Sequence, residues 1–280
     1  MDVVYLDGQV VPASEALVSV FDHGLMTGDG VFETVLVQSG RPFALARHLA
    51  RLERSATGMG LALPHLDELE RAVAAVAASV AELERARLRL MLTGGRAPLG
   101  SARGDARPSL FAAAAPLPPP RPGPAAVAIA PWPRNERGAL TGLKTTSYGE
   151  NVVALEWATA RGAVEALFGN TAGNLCEGTG SNVFLVVDGT LVTPPLSAGP
   201  LAGVTRELVM ELVDCVEKDV PLETLRSGAV EEVFLTSTTK GVQPVATVDG
   251  RDVLGATGPG PRTAEAAARF DRLMASTNEP

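Results

Sequence analysis

The sequence predicts an α+β fold with two lobes, because its short strands pair mainly through hairpins and its helices are inserted between them. A proline-rich stretch at residues 116–124 cannot continue a helix or a central strand, so it predicts an extended linker between lobes; a surface loop within one domain is the alternative. The predicted parts are a small N-terminal α/β lobe at 1–115, this linker, and a larger lobe at 125–280 that carries Lys144.

The N-terminal lobe opens with two hairpins. Asp7-Gly8 separates two apolar stretches, and Ser39-Gly40 does the same. The segment HLARLERSATGMGL has apolar residues at helical spacing and ends at glycine, which predicts a helix. An alanine-rich helix is expected at 66–84, followed by two strands, ARLRLMLTG with period-two alternation and SLFAAAA.

The C-terminal lobe mixes strands and helices. AAVAIAPW is a predicted strand, and NVVALEWATARGAVEA begins as a helix. Asp188-Gly189 and Asp249-Gly250 mark two further hairpins. GVTRELVMELVDCVEK is an amphipathic helix, EEVFLTSTT is a strand that leads into a hydroxyl-rich turn, and residues 261–275 form a final helix.

Composition excludes several classes of function. The net charge is −8 without a basic run, which argues against a nucleic-acid partner, and no apolar run reaches the length of a membrane span. Two cysteines and an N-terminus without a secretory pattern predict a cytoplasmic protein. The three histidines lack the spacing of metal ligands, so no metal is expected. Phosphate-loop, dinucleotide-binding and serine-hydrolase motifs are also missing.

Lysine is rare in this chain, which directs attention to Lys144. Of 24 basic residues only Lys144, Lys218 and Lys240 are lysines. A lysine that attacks a carbonyl must be neutral, and desolvation favours the neutral form. Lys144 has the most apolar approach of the three, whereas Lys218 lies at a charged helix end and Lys240 in a polar loop that could lie near an anion.

Two segments predict an anion site and one predicts a buried acid. Val204 and Thr205 start the amphipathic helix, where free backbone N–H groups attract anions, although Thr205 could be a simple N-cap. Ser237 and Thr238 belong to the hydroxyl turn, which could supply further donors or be an ordinary polar turn. Glu177 lies between an apolar run and a glycine-bearing turn, so it is a surface acid or the partner of a buried cation.

These pieces resemble, in order and over nearly the whole chain, the class IV (fold type IV) pyridoxal-phosphate (PLP) enzymes. The matching motifs are FDHGLMTGDGVFET, HLARL, LKTTSYGEN, CEGTGSNVF, GVTRELV and VFLTSTT. The resemblance implies a D-amino-acid-aminotransferase-like architecture with PLP in the interlobe cleft, an amino-acid-like substrate, and a homodimer with the active site near the subunit interface.

The resemblance also implies roles for individual residues. Lys144 would hold PLP as a Schiff base and shuttle a proton, and Glu177 would bind the pyridine nitrogen. Tyr148 would reach the cofactor O3′, Phe32 would line the substrate side, and Asn182 would support the turn of Glu177. The phosphate would be held by Arg51, Val204, Thr205, Ser237 and Thr238.

The sequence constrains the choice of reaction less than the choice of cofactor. D-amino-acid aminotransferases carry an Arg-x-His trap where this chain has Leu99 and Ser101. A partial match to the lyase pattern makes Arg96 and Arg103 candidate partners of substrate carboxylates, or ordinary loop arginines. These features favour 4-amino-4-deoxychorismate lyase, which releases pyruvate and forms 4-aminobenzoate, a folate precursor. The alternatives are a class IV aminotransferase on branched-chain or other small amino acids, and a non-catalytic PLP-binding homologue.

Overall fold

The computed structural model describes residues 3–118, 123–253 and 258–280, and divides into two compact units. The first unit is Met1–Pro119 with Leu143–Tyr148 and Thr277–Pro280, and the second is Pro120–Gly142 with Gly149–Ser276. Part of the predicted linker, residues 119–122, lies outside the described residues. Within the described ranges, no helix combines the length and the apolarity that crossing a bilayer would require.

The first unit contains a six-stranded sheet in the order β2-β1-β6-β5-β3-β4. Both predicted hairpins are present, and Asp7 and Gly8 each have positive φ, as a tight turn between two antiparallel strands requires. The strands are β1 (Val3–Leu6), β2 (Gln9–Pro12), β3 (Gly30–Gln38), β4 (Arg41–Pro42), β5 (Arg85–Thr93) and β6 (Ser109–Pro116).

Three helices accompany this sheet: α1 (His23–Met26), α2 (Leu45–Met59) and α3 (Leu66–Ala78). Alternation along β3 and β5 sends every second side chain into a core that α2 and α3 cover. The helix predicted for 66–84 ends at Ala78 instead. The hydroxyl of Ser79 donates to the carbonyl of Val76 there, and the chain turns back towards β5.

The second unit is built on a nine-stranded mixed sheet in the order β12-β11-β10-β13-β14-β7-β8-β9, with β15 paired to β14. Strand β7 pairs in parallel with both β8 and β14, so this sheet is not made of hairpins alone. Its strands are β7 (Ala125–Ile129), β8 (Glu165–Gly169), β9 (Leu175–Gly178), β10 (Asn182–Val187), β11 (Thr190–Thr193), β12 (Val216–Glu217), β13 (Glu232–Ser237), β14 (Gly241–Val248) and β15 (Arg251–Asp252).

The helices of the second unit are α4 (Gly149–Thr159), α5 (Val204–Leu212), α6 (Glu223–Ser227) and α7 (Pro261–Ser276), with a 3₁₀ turn at Leu196–Ala198. The amphipathic helix predicted for 203–218 therefore stops early. Val213 is extended, and the Leu212 carbonyl accepts a hydrogen bond from Arg269 instead of continuing the helix. Lys218 consequently follows a strand and is exposed, not part of a helix end.

The structure departs from the sequence prediction in where it places Lys144. The predicted C-terminal lobe included this residue, but Leu143–Tyr148 belongs to the first unit. The reason is backbone pairing along β3. The Lys144 carbonyl accepts from the Phe32 amide at 3.0 Å, and the Thr146 amide donates to the Gly30 carbonyl at 2.8 Å. This segment therefore lies as an extra edge strand beside the start of β3.

Candidate active site

The backbone of Lys144 is fixed on both sides in the first unit. Its amide donates to the Ser55 hydroxyl on α2 at 3.0 Å, while its carbonyl is held by Phe32 on β3. Val31 and Thr145 form the neighbouring antiparallel bridge. Because paired residues in an antiparallel ladder point to the same face, the side chains of Lys144 and Phe32 lie on one face of the sheet.

Three polar side chains surround the ring of Phe32, which is almost completely buried. The Lys144 Nζ atom lies 4.6 Å from the ring centroid, and the guanidinium carbon of Arg89 lies 4.1 Å from it. The ring of Tyr148 meets Phe32 edge-on at 5.3 Å between centroids. Lys144 itself is half-buried. This cluster, hereafter the Phe32 cluster, brings together three residues predicted from sequence and adds Arg89.

The opposite face of β3 carries a buried ionic network centred on Glu33. Arg51 on α2 donates from Nε and Nη2 to the two carboxylate oxygens of Glu33, at 2.8 and 2.7 Å. The His48 Nδ1 atom lies 2.8 Å from the same carboxylate. Glu33 is fully buried and Arg51 is 4% exposed. Arg51, predicted to bind phosphate, therefore already has a carboxylate partner that the sequence did not reveal.

Burial and ion pairing change the pKa of Glu33 in opposite directions. Burial alone would raise the pKa of Glu33, but the Arg51 guanidinium and the His48 hydrogen bond outweigh it and hold that pKa well below its usual range. Burial lowers the pKa of His48, and the carboxylate of Glu33 compensates only in part. Glu33 is thus an ionised carboxylate that links β3 to α2 through its contacts with Arg51 and His48.

Arg103 and Arg96, the two arginines predicted to bind substrate carboxylates, have different surroundings. Arg103 donates from Nε and Nη2 to Asp29 at 2.7 and 2.6 Å, and also to the carbonyls of Met59 and Gly60. Its guanidinium is therefore engaged in tying its loop to the end of α2. Arg96 lies in the same loop, where its backbone bridges to Asp22, and it is exposed.

In the second unit, Glu177 is a partly buried carboxylate on β9. Its Oε2 atom accepts from the Leu201 amide at 2.9 Å, and its Oε1 atom lies 3.5 Å from Nη2 of Arg134. The Leu201 carbonyl in turn accepts from the Asn182 side chain at 2.8 Å. Glu177 and Asn182 therefore bind the amide and the carbonyl of the same residue, Leu201, and a role of Asn182 in supporting the turn of Glu177 stays a prediction.

The start of α5 is adjacent to Asn182 in the same unit. Gly203 is the N-cap and supplies no side chain to the first turn, where Val204 and Thr205 are buried. A Cβ atom at Gly203 would collide with the Asn182 amide oxygen, so only glycine fits here. The amide groups of the first turn consequently have no side-chain cap, which leaves them available to an anion.

Two buried hydroxyls lie at the end of β13, which packs against α5. The Thr236 Oγ1 and Ser237 Oγ atoms are shielded from solvent and have no hydrogen-bond partner among the described residues. Thr236 pairs directly with Asn182 in the antiparallel β10–β13 ladder. Unpaired buried hydroxyls are costly, so this position suits a ligand that accepts hydrogen bonds, such as a phosphate. Thr238 follows immediately and is half-buried.

The other two lysines, Lys240 and Lys218, have surroundings that differ from those of Lys144. The Lys240 Nζ atom pairs with Glu165 at 2.9 Å, and Glu165 also accepts from the Gly180 amide and the Ser181 hydroxyl. Lys240 therefore neutralises the acid that shapes the turn before β10. Since Lys218 is exposed, Lys144 is the lysine with the partly desolvated environment that the sequence predicted.

Sequence reasoning missed Arg89, Glu33 and Arg134. Arg89 alternates with Arg85 and Arg87 on β5, and that period-two pattern was the available signal. Glu33 is the acid of the GDGVFET motif, but its partners lie on a separate helix. Arg134 lies over the ring of Phe168, 4.3 Å from its centroid, and nothing in its local sequence marks it.

A protein-family model and several curated proteins are similar to this chain. The family model for amino-transferase class IV matches residues 30–248. The "Putative branched-chain-amino-acid aminotransferase" of Methanocaldococcus jannaschii is 34% identical over 89% of this chain and 88% of its own length. The D-alanine aminotransferase of Bacillus licheniformis is 30% identical over 93% of each chain. The bifunctional aminodeoxychorismate lyase / D-amino acid transaminase of Mycobacterium tuberculosis is 30% identical over 89% and 92%.

Solved structures agree on the architecture. The branched-chain aminotransferase of Thermoproteus uzoniensis, solved with norvaline, superimposes with a TM-score of 0.88 at 30% identity, covering 97% of this chain and 94% of that one. A hypothetical aminotransferase from Mycobacterium tuberculosis in its PLP-bound form gives 0.81 at 28% identity, with 96% and 98% coverage. The fold is thus that of the fold type IV PLP enzymes.

The chain belongs to the class IV aminotransferase family. The sequence-based assignments of family and fold are confirmed, and PLP is its cofactor. The capless start of α5 and the unpaired hydroxyls of β13 fit a phosphate group, and Glu177 offers a carboxylate to a ring nitrogen.

Proposed function

We propose that this protein is an aminotransferase that moves an amino group between a branched-chain or other small amino acid and a 2-keto acid. The observation that carries the proposal is the position of Lys144, half-buried in the Phe32 cluster with its backbone held by Ser55 and Phe32. Named aminotransferases among the relatives and structural neighbours support the same reaction.

The structure gives less support than the sequence to the lyase interpretation. It relied on Arg96 and Arg103 as partners of substrate carboxylates, and Arg103 is engaged by Asp29 and two carbonyls. Lyase activity appears among the reported relatives as one half of a bifunctional enzyme. We therefore place the aminotransferase first and keep pyruvate release from aminodeoxychorismate as an outcome that the assay can reveal.

Residues of each unit have separate tasks in this proposal. Bound PLP withdraws electrons from the substrate and so acidifies the proton on its α-carbon. Lys144 binds the cofactor through Nζ and then moves that proton, which requires a neutral amine and a partly desolvated position. Tyr148 orients the cofactor through O3′. In the second unit, Glu177 keeps the ring nitrogen protonated, while Val204, Thr205, Ser237 and Thr238 bind the phosphate.

A substrate panel on the holoenzyme tests the proposed function. Branched-chain amino acids and alanine, each in the L and D form, are mixed with 2-oxoglutarate, and aminodeoxychorismate is assayed separately. We expect keto acid to form and the cofactor spectrum to change to that of the amine form when an amino donor is added without acceptor. Pyruvate release from aminodeoxychorismate without any amino transfer would replace the proposal by the lyase, and no turnover of any substrate would indicate a non-catalytic homologue.

The phosphate role of Ser237 predicts a specific loss of cofactor affinity. Ser237→Ala removes a buried hydroxyl that has no partner among the described residues. A hydrogen bond to a charged group contributes about 1.5–3 kcal/mol, so we expect the Kd for PLP to rise about tenfold or more. The stability of the PLP-free protein should stay unchanged, because no protein hydrogen bond is lost. Equilibrium titration with PLP measures the first quantity and urea unfolding the second.

Thr193→Val provides the matched control for Ser237→Ala. The Thr193 hydroxyl is also buried, but it donates to the Val183 carbonyl at 2.8 Å. Its loss should lower the free energy of unfolding by about 1 kcal/mol and leave the Kd for PLP unchanged. Equal PLP affinity in Ser237→Ala and the wild type would remove Ser237 from the phosphate site.

The homodimer implied by the family resemblance remains a proposal. Several large apolar side chains of the segment before and within α1 are exposed: Leu17, Val18, Val20, Phe21 and Leu25. Exposed apolar side chains close together in the chain are typical of an interaction surface. Sedimentation of the holoenzyme measures the mass directly, and a monomer at micromolar concentration would overturn the proposal.

A further inference from the structure

We propose that Lys240 is a positioning residue for the cofactor phosphate, and that it acts through its ion pair with Glu165. The inference rests on the proposed function, because it concerns the same PLP site. The Lys240 Nζ atom donates to the Glu165 Oε2 atom at 2.9 Å, although the two residues are 75 positions apart in the chain. This contact therefore joins two distant segments of the second unit.

Lys240 ends the turn that carries the candidate phosphate ligands. Strand β13 ends at Ser237 and β14 begins at Gly241, so Thr238 and Lys240 lie in the connection between these strands. The Lys240 amide donates to the Ser237 carbonyl at 3.3 Å. The Ser237 hydroxyl has no hydrogen-bond partner among the described residues. Its direction consequently depends on where the turn is held, and the side chain of Lys240 holds the turn.

Glu165, at the other end of the ion pair, shapes the turn that follows Glu177. Its Oε1 atom accepts from the Gly180 amide and from the Ser181 hydroxyl, both at 2.7 Å. A Cβ atom at Gly178 would collide with the side chains of Glu165 and Ser181, so the turn packs directly against this carboxylate. Because Glu177 directly precedes Gly178, the same turn also fixes where the candidate partner of the ring nitrogen lies.

Burial makes Glu165 the fixed end of the ion pair. The Glu165 side chain is 4% exposed, whereas that of Lys240 is 38% exposed. A desolvated carboxylate is costly unless it is hydrogen-bonded and paired with a cation. Two of the three donors described above are neutral, and Lys240 supplies the positive charge. The buried acid therefore anchors the lysine, and the lysine anchors the turn of Ser237.

Both turns thus depend on the Glu165 carboxylate. The pyridine ring of PLP is rigid, so groups that bind its nitrogen and its phosphate must be held at a matching separation. Glu165 contacts the turn after Glu177 directly, and it contacts the turn of Ser237 through Lys240. A site that is already ordered binds more tightly, because less conformational freedom is lost on binding. The ion pair accordingly favours cofactor binding by ordering the phosphate turn.

A direct attraction between the Lys240 cation and the phosphate would respond differently to loss of the acid. Glu165→Gln keeps an oxygen for the Gly180 amide and the Ser181 hydroxyl, but it removes the charge that holds Lys240. If Lys240 acted on the phosphate by charge alone, its release would strengthen PLP binding. If Lys240 positions the turn, its release should weaken PLP binding.

The test measures the Kd of PLP by equilibrium titration of the full-length, PLP-free protein. For Lys240→Met and for Glu165→Gln we expect the Kd to rise about fivefold to 50-fold, the range typical of residues that share one network. Lys240→Arg should keep most of the affinity, because it retains a cation for Glu165. Lys218→Met is the control, since Lys218 is an exposed lysine outside the candidate site, and it should bind PLP like the wild type.

A double-mutant cycle with Ser237→Ala tests whether Lys240 acts through the phosphate turn. A purely structural contribution of the ion pair would add to the loss caused by Ser237→Ala. In the positioning role, the increase in Kd caused by Lys240→Met should be at least about threefold smaller once the Ser237 hydroxyl is absent. Glu165→Gln takes the place of Lys240→Met in the cycle if the latter does not fold.

The outcomes separate failure of this inference from failure of the proposed function. Additive effects in the cycle, tighter PLP binding in Glu165→Gln, or a change of less than about twofold in Lys240→Met would overturn the positioning role. Amino transfer by the wild type would still stand in each case. Absence of amino transfer in the wild type would overturn the proposed function, but the PLP titrations would still report whether Lys240 positions the phosphate turn.

Discussion

Replacement of Lys144 by alanine is expected to abolish amino transfer and, in the same variant, the visible absorbance of the lysine-bound cofactor. Lys144 is the attachment point for PLP in the proposed site, and its Nζ also moves the proton on the substrate α-carbon. Proton transfer by a positioned side chain alone contributes about 10²-fold to 10⁴-fold to a rate. The combined loss should therefore be at least about 10⁴-fold, measured as kcat/KM of the holoenzyme with the best donor.

Lys144→Arg sharpens this prediction, because it keeps a cation beside Phe32 while removing the nucleophile. Arginine stays protonated at neutral pH and cannot attack an aldehyde. We expect this variant to be as inactive as Lys144→Ala, whereas an electrostatic role for Lys144 would leave it active. Lys218→Ala is the control, since Lys218 is exposed and outside the candidate site. Retention of more than about 10% of wild-type activity in both Lys144 variants would contradict the assignment.

Local sequence was sufficient to predict the hairpins and most helices. Asp7-Gly8 and Asp188-Gly189 form turns in which the aspartate and glycine both have positive φ, a conformation that these residue types tolerate. The Leu45–Met59 helix also ends at a glycine in the left-handed region, as its sequence indicates. In contrast, β8 and β9 were not recognised, because β8 is a short run buried along its whole length and lacks an alternating pattern.

Candidate residues for the site could be named from the sequence, but the partners that surround them could not. Lysine scarcity and motif order pointed to Lys144 and Glu177 without any structure. The partners that define their surroundings come from distant parts of the chain. Lys144 reaches Phe32 only because its segment pairs with β3, and Arg103 reaches Asp29 through a loop that folds back on α2. No local pattern fixes such pairings, so the surroundings of Arg96 and Arg103 could not be predicted from their own segment.

Loss of the Glu33 carboxylate is expected to produce the largest effect on stability. Glu33→Gln removes the carboxylate to which the buried guanidinium of Arg51 donates two hydrogen bonds. Breaking a buried ion pair by removing one partner costs about 3–5 kcal/mol. We expect the free energy of unfolding to fall by that amount, measured by urea denaturation of the PLP-free protein so that cofactor binding does not contribute.

Two further variants test whether the loss of stability in Glu33→Gln comes from removal of the charge that faces Arg51. Glu33→Leu combined with Arg51→Met removes both charges, and it should be less destabilising than Glu33→Gln alone. Arg103→Gln breaks the ion pair with Asp29, in which the Arg103 side chain is 32% exposed. Solvent screens that pair, so the expected loss is about 1 kcal/mol or less. Equal losses in Glu33→Gln and Arg103→Gln would contradict the importance of burial.

The same ion pair predicts how stability depends on pH. The pKa of Glu33 lies below its ordinary value of 4.5, because Arg51 and His48 outweigh the opposing effect of burial. A carboxyl group whose pKa is lowered by folding contributes stability above its unfolded pKa and loses it as the pH falls towards its folded pKa. The wild type should therefore lose more stability than the Glu33→Leu/Arg51→Met variant below pH 4.5. Parallel curves of the free energy of unfolding against pH for the two proteins, from pH 7 to pH 3, would show that folding does not lower the pKa of Glu33. The buried ion pair would then lose its proposed role of holding α2 against β3.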